Sequence, residues 1–120
     1  MHIWEIMFLG GDNMTFSVEG EVWRLQFVNP RSNQLRRSDG SVTIGVSDNN
    51  VKTVFISDSL SDEMTDKVLC HELVHVFSFV HNLSIPMETE EIIADFLSLY
   101  GRDIIYLADS LLHDVLERVA

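Results

Sequence analysis

The chain of 120 residues holds one cysteine, eight basic residues and no apolar stretch of membrane-spanning length. A lone Cys70 excludes an internal disulfide and fits a reducing compartment, so a cytoplasmic protein is expected. Eight Lys and Arg against 19 Asp and Glu leave a formal net charge of -11, a field that repels phosphate backbones and anionic lipid surfaces. Neither nucleic acid nor a membrane is an expected partner. The start, Met1 to Gly10, has no basic region and is interrupted by Glu5, unlike a secretory signal peptide. Repeats, low-complexity tracts and linker-like segments are missing as well.

What is present is ordinary globular material. Apolar residues make up 46% and charged residues 22%, enough for one hydrophobic core, and 1–120 is read as a single domain. Acid is unevenly placed: residues 1–60 carry five bases and seven acids, whereas residues 61–120 carry three and twelve. Solvated helix faces explain part of that excess, and a site that holds a cation would explain the rest.

Period-two alternation of β-branched and aromatic residues predicts strands near His2 to Leu9, Thr15 to Val18, Val22 to Val28, Val42 to Val46 and Thr53 to Ser57. Glu19-Gly20 and Ser47 to Asn50 are expected turns, and Asn29 to Gly40, with Arg31, Arg36 and Arg37, reads as a solvated loop. From Ser61 the period changes to about 3.6. Ser61 is a plausible N-cap, with Asp62 and Glu63 complementing the helix dipole, for a long helix to about Asn82. Pro86 marks a connection, after which Thr89 to Tyr100 and Arg102 to Val119 are expected as two helices separated by Gly101. The expectation is an α+β fold: a small antiparallel or mixed sheet, then a long helix and two more.

The long helix is apolar almost all round, so it should be buried, and its polar residues Lys67, His71, His75 and Ser78 fall into one narrow stripe. Glu72 lies outside the stripe, in a sector that ought to be core. The string His71-Glu72-Leu73-Val74-His75 is the HExxH pattern. Spacing of i and i+4 sets two imidazoles about 40° apart on one face, where both can reach one tetrahedral ion. Glu72 lies too far round to be the natural third ligand, but it is placed to accept a proton from water whose pKa a zinc ion lowers to about 7. Cys70 points away from the stripe and reads as packing.

A catalytic zinc needs a third protein ligand. Glu91 opens the following helix with Asp95 one turn on, offering a ligand and a carboxylate that could hydrogen-bond a ligating imidazole; the same residues could equally form a solvated face. His81 competes, because His71 to His81 has the spacing HExxHxxGxxH, with Ser78 where that motif has glycine. An unbroken helix would turn His81 about 80° from His71 and 120° from His75. A donor for the developing oxyanion is also needed, and Tyr100, Tyr106 and His113 are available without a pattern that chooses among them.

With Val54 to Ser57, then Val68 to His75, then Glu91-Ile92-Ile93-Ala94-Asp95-Phe96, the segment from Ser41 to Leu97 resembles the small zincin metallopeptidases of the ImmA/IrrE-like kind. Its Glu-x-x-x-Asp spacing is similar to that of thermolysin-type gluzincins. The resemblance implies a minimal zincin domain with zinc held by His71, His75 and Glu91, Glu72 as general base, and cleavage of a protein or peptide substrate such as a transcriptional repressor. It further implies that Thr53 to Ser57 is the sheet edge along which an extended peptide lies. A binding protein that keeps the fold and captures a partner along that edge without catalysis is the alternative.

Overall fold

The computed structural model describes residues 5–11 and 13–118. Five strands, β1 (Ile6–Gly10), β2 (Asn13–Val18), β3 (Glu21–Val28), β4 (Gly45–Asp48) and β5 (Thr53–Ser57), precede three helices, α1 (Asp62–Val80), α2 (Met87–Phe96) and α3 (Arg102–Arg118). The fold is α+β. The first expected strand is realised from Ile6; residues 2–4 lie outside the described part, as does 119 at the end of the last helix.

β1, β2 and β3 form a meander. Its second turn uses Glu19 and Gly20, both at positive φ, the backbone that two-residue hairpins require. The chain then leaves the sheet and returns as the β4–β5 hairpin, with β5 parallel to β3, giving the order β1-β2-β3-β5-β4. The Thr53–Ser57 segment is therefore an inner strand, not the edge implied above, and all five of its residues are buried. The edge on this side is β4. It starts three residues later than the strand expected at Val42 to Val46, because Val42 only bridges to Arg36.

Alternation along β3 and β5 divides the core between two faces. Trp23, Leu25, Val54 and Ile56 pack on Val68 and Val76 of α1, and Trp23 stacks on Phe79 with ring centroids 6.2 Å apart. On the other face Val28 and Phe55 are covered by Leu35, from a short 3-10 turn (Asn33–Leu35). The segment between Asn29 and Gly40 is thus not wholly solvated: fully buried Leu35 pins it to the sheet, while its arginines stay exposed.

α1 begins where expected, Ser61 Oγ accepting from the Met64 N–H at 3.2 Å. It ends at Val80, with the His81 N–H donating to the Phe77 carbonyl. Gly101, by contrast, does not separate two helices. α2 runs through a π turn (Leu97–Gly101) directly into α3, so α1 is followed by one continuous helical rod. A single glycine costs a helix only about 1 kcal/mol, and here the wider turn absorbs it. Among the described residues no helix is long and apolar enough to cross a membrane.

Gly45 sets how closely β4 lies on α1. A Cβ there would sit 2.6 Å from Val68 Cγ1 and 3.2 Å from Glu72 Cγ, so any side chain pushes the strand off the helix. We expect Gly45→Ala to destabilise the fold by about 1–3 kcal/mol in urea denaturation. Adding Val68→Ala should recover part of that loss, whereas additive losses would show that the close approach is not the cause.

Candidate metal centre

One helical turn separates His71 and His75, and their rings meet edge to face with centroids 5.1 Å apart and Nε2 atoms 3.3 Å apart. α2 can come close to this pair because the completely buried Ala94 has only a methyl group as its side chain. Three residues before it, Glu91 brings Oε2 to 3.1 Å from His71 Nε2 and Oε1 to 2.9 Å from His75 Nε2. Among the described residues, His71, His75 and Glu91 form a group whose ligand atoms all lie within 4.8 Å of one another.

The outer ring nitrogens also face carboxylates. Asp95 Oδ1 stands 2.9 Å from His71 Nδ1, and Glu90 Oε1 stands 3.4 Å from His75 Nδ1. With a proton on His71 Nδ1, as Asp95 favours, and the same tautomer at His75, both Nε2 lone pairs point inward at the Glu91 oxygens; buried Glu90 Oε1 has no hydrogen-bond partner. The result is a pocket of converging lone pairs, a donor set suited to a cation. The residues present therefore fit a metal ion.

Glu72 stands beside the group, its Oε2 4.0 Å from His71 Nε2. It is buried, as its sector of the helix requires, and Ser47 Oγ on β4 lies 2.9 Å from both its Oε1 and its backbone carbonyl. Burial pushes the Glu72 carboxyl above its ordinary value of 4.5; the hydrogen bond from Ser47 and the nearby imidazoles oppose that rise. A cleft of about 410 Å³ opens over these groups, between the start of β4 on one side and α1 and α2 on the other.

The remaining candidates lie elsewhere. His81 caps an α1 that stays helical through Ser78, and its ring packs toward Phe77 at 6.1 Å, outside the three-residue group. Tyr100 meets Phe96 edge to face, Tyr106 is exposed on α3 and His113 lies 3.4 Å from Glu117; none of the three lines the cleft. The cations that do line it are Arg37 and Lys67. Cys70 is half-buried, its thiol 3.7 Å from the Leu97 carbonyl, away from the histidines.

Two members of the site were missed by sequence reasoning. Glu90 is 6% exposed although it neighbours the ligand candidate Glu91. Its signal was Ala94, four residues on, since both must share the face that meets α1. Ser47 shares a strand face with Gly45, but nothing local says that this face meets Glu72. No family model, curated protein or solved structure matches the chain.

Metal titrations should rank the surrounding residues. Glu91→Ala is expected to lose most of the affinity, Glu90→Gln and Asp95→Ala to lose about 10 to 100-fold each, and His81→Ala to leave it unchanged. Loss of metal in His81→Ala with Glu91→Ala unaffected would contradict the ligand set.

Proposed function

We propose that the protein is a zinc-dependent metallopeptidase that hydrolyses peptide bonds in a protein or peptide substrate. The observation that carries this reading is the convergence of His71, His75 and Glu91 with the buried carboxylate of Glu72 at its side. Zinc fits the spacing: ligand atoms about 2.05 Å from a tetrahedral ion are about 3.3 Å apart. The two Nε2 atoms stand 3.3 Å from each other and 2.9 to 3.1 Å from the Glu91 oxygens. When bound, the ion supplies a polarised scissile carbonyl and a water acid enough to attack near neutral pH.

The remaining steps belong to the chain's own side chains. Glu72 takes the proton from the attacking water and passes it to the leaving amine, a role suited by a carboxyl that burial holds above its ordinary value. Ser47 keeps that carboxylate in one orientation across the β4–α1 junction. Asp95, 2.9 Å from His71 Nδ1, and Glu90, 3.4 Å from His75 Nδ1, orient the two imidazoles from their outer sides. Arg37 and Lys67 supply positive charge along the cleft to the anionic intermediate, in place of the tyrosines and His113.

The substrate backbone is held by β4 rather than by the inner strand β5. Among the described strands β4 pairs only with β5, which leaves it a second edge, and residues 43–45 line the cleft where that edge begins; there the Thr43 N–H donates to the Leu35 carbonyl and Thr43 Oγ1 to the Gly45 carbonyl, contacts an incoming strand would exchange. An extended peptide added to that edge would run past Glu72, and main-chain hydrogen bonds would grip it without a large specificity pocket. A repressor-like protein with an exposed extended segment fits such an edge.

The test is turnover of a denatured protein by zinc-loaded enzyme. Glu72→Gln should keep its zinc and lose activity by a factor on the order of hundreds. Full activity in that variant, or loss of its zinc, would contradict the assigned role.

A further inference from the structure

Among the described residues, nothing covers the apolar face of α3. None of its 17 residues is buried; it packs mainly on the π turn that precedes it, and Arg102 at its root pairs with Asp66 of α1. Projected at about 100° per residue, Ile104, Ala108, Leu111 and Val115 form a central seam, with Ile105, Leu112 and Leu116 on one side and Leu107 on the other, so that the apolar arc spans about 180°. The large side chains of this arc are 46% to 62% exposed. An isolated helix of this length is marginal in water, and without buried residues α3 draws little packing stabilisation from the described part of the fold.

We propose that α3 is a dimerisation helix and that its partner is the α3 of a second copy, packed antiparallel. The exposed apolar surface on the arc is on the order of 700 Å², close to the roughly 800 Å² per partner of a stable protein interface. Spacing along the seam is 4-3-4, as paired helices require. With the two-fold axis between Ala108 and Leu111, Ile104 meets Val115 of the other copy and small Ala108 meets large Leu111, so the layers interdigitate.

The flanks select the direction. Asp103, Asp114 and Arg118, with Leu107 as the one large apolar residue among them, lie on one side of the seam, whereas Ile105, Leu112 and Leu116 lie on the other. Antiparallel packing brings like flank to like flank: the apolar sides meet, and Asp103 of each copy faces Arg118 of the other at both ends. A parallel pair would lay the apolar side against Asp103 and Asp114. Antiparallel helix dipoles favour the same arrangement. Arg102, at the root of α3, is held 2.6 Å from Asp66 of α1, which fixes the helix relative to its own domain.

Sedimentation of the full chain at about 100 µM and physiological salt should give twice the 13.7 kDa mass of one chain. Leu111→Asp should sediment as one chain, with metal content equal to that of the parent protein, because the side chain is exposed in the single chain and far from the metal centre. Arg118→Glu should weaken the dimer about tenfold through loss of both end pairs, and Asp103→Arg combined with Arg118→Glu should restore it. Single-chain mass at 100 µM, or a dimer that survives Leu111→Asp, would overturn the proposal. Failure of the charge swap to restore association would overturn the antiparallel register. None of these readouts depends on peptidase activity.

Discussion

Glu72, His75 and Glu90 each keep less than a tenth of their surface exposed, side by side at the junction of α1, α2 and β4. Titratable groups at that depth are stable only when each faces a donor, a proton or a counter-charge, since a buried charge left unpaired costs several kcal/mol. Much of the surrounding architecture answers that demand. Gly45 lets the edge strand approach within reach of Glu72, Ser47 on the same strand supplies the hydroxyl, and Ala94 lets α2 deliver Glu90 and Glu91 to the imidazoles.

α1 therefore has two unlike surroundings. Val68 and Val76 bind it to the sheet through ordinary apolar burial, which tolerates exchange among side chains of similar volume. Its polar side is held by directional contacts such as that of Ser47 Oγ with Glu72 Oε1 at 2.9 Å, where a shift of one ångström would leave a buried acceptor without its donor. The first makes the helix stable and the second makes it specific. The acid that accumulates after residue 60 is explained only in part by this junction: Glu72, Glu90, Glu91 and Asp95 surround the two imidazoles, while other carboxylates of α1 and α3 remain on exposed faces.

What was legible in the sequence was local. The Ser61 cap, the HExxH spacing and the four-residue step from Glu91 to Asp95 each depend on a few neighbouring residues and helix geometry, and all three recur in the structure. The partners of those groups were not legible where they come from distant segments. Strand order is one such case: β5 lies inside the sheet because β3 pairs with it in parallel across a long excursion, and no pattern within Thr53–Ser57 marks that neighbour. Glycine gave a second. Gly101 looks like a terminator, but its backbone stays helical within a π turn, whereas Gly45, which has no helical context, is the glycine whose missing side chain the site requires. Leu35 shows the same limit, as a single buried anchor within a polar run.

The claim on which the functional account rests is that His71, His75 and Glu91 jointly bind one ion. Zinc-edge X-ray absorption of the purified full chain tests it most directly, because it counts and types the bound atoms. The account predicts one zinc per chain, with two imidazole nitrogens and a carboxylate oxygen at about 2.0–2.2 Å and loss of the imidazole scattering in the His71→Ala, His75→Ala double variant. A protein that binds no zinc, or whose zinc keeps its coordination in that double variant, would contradict it.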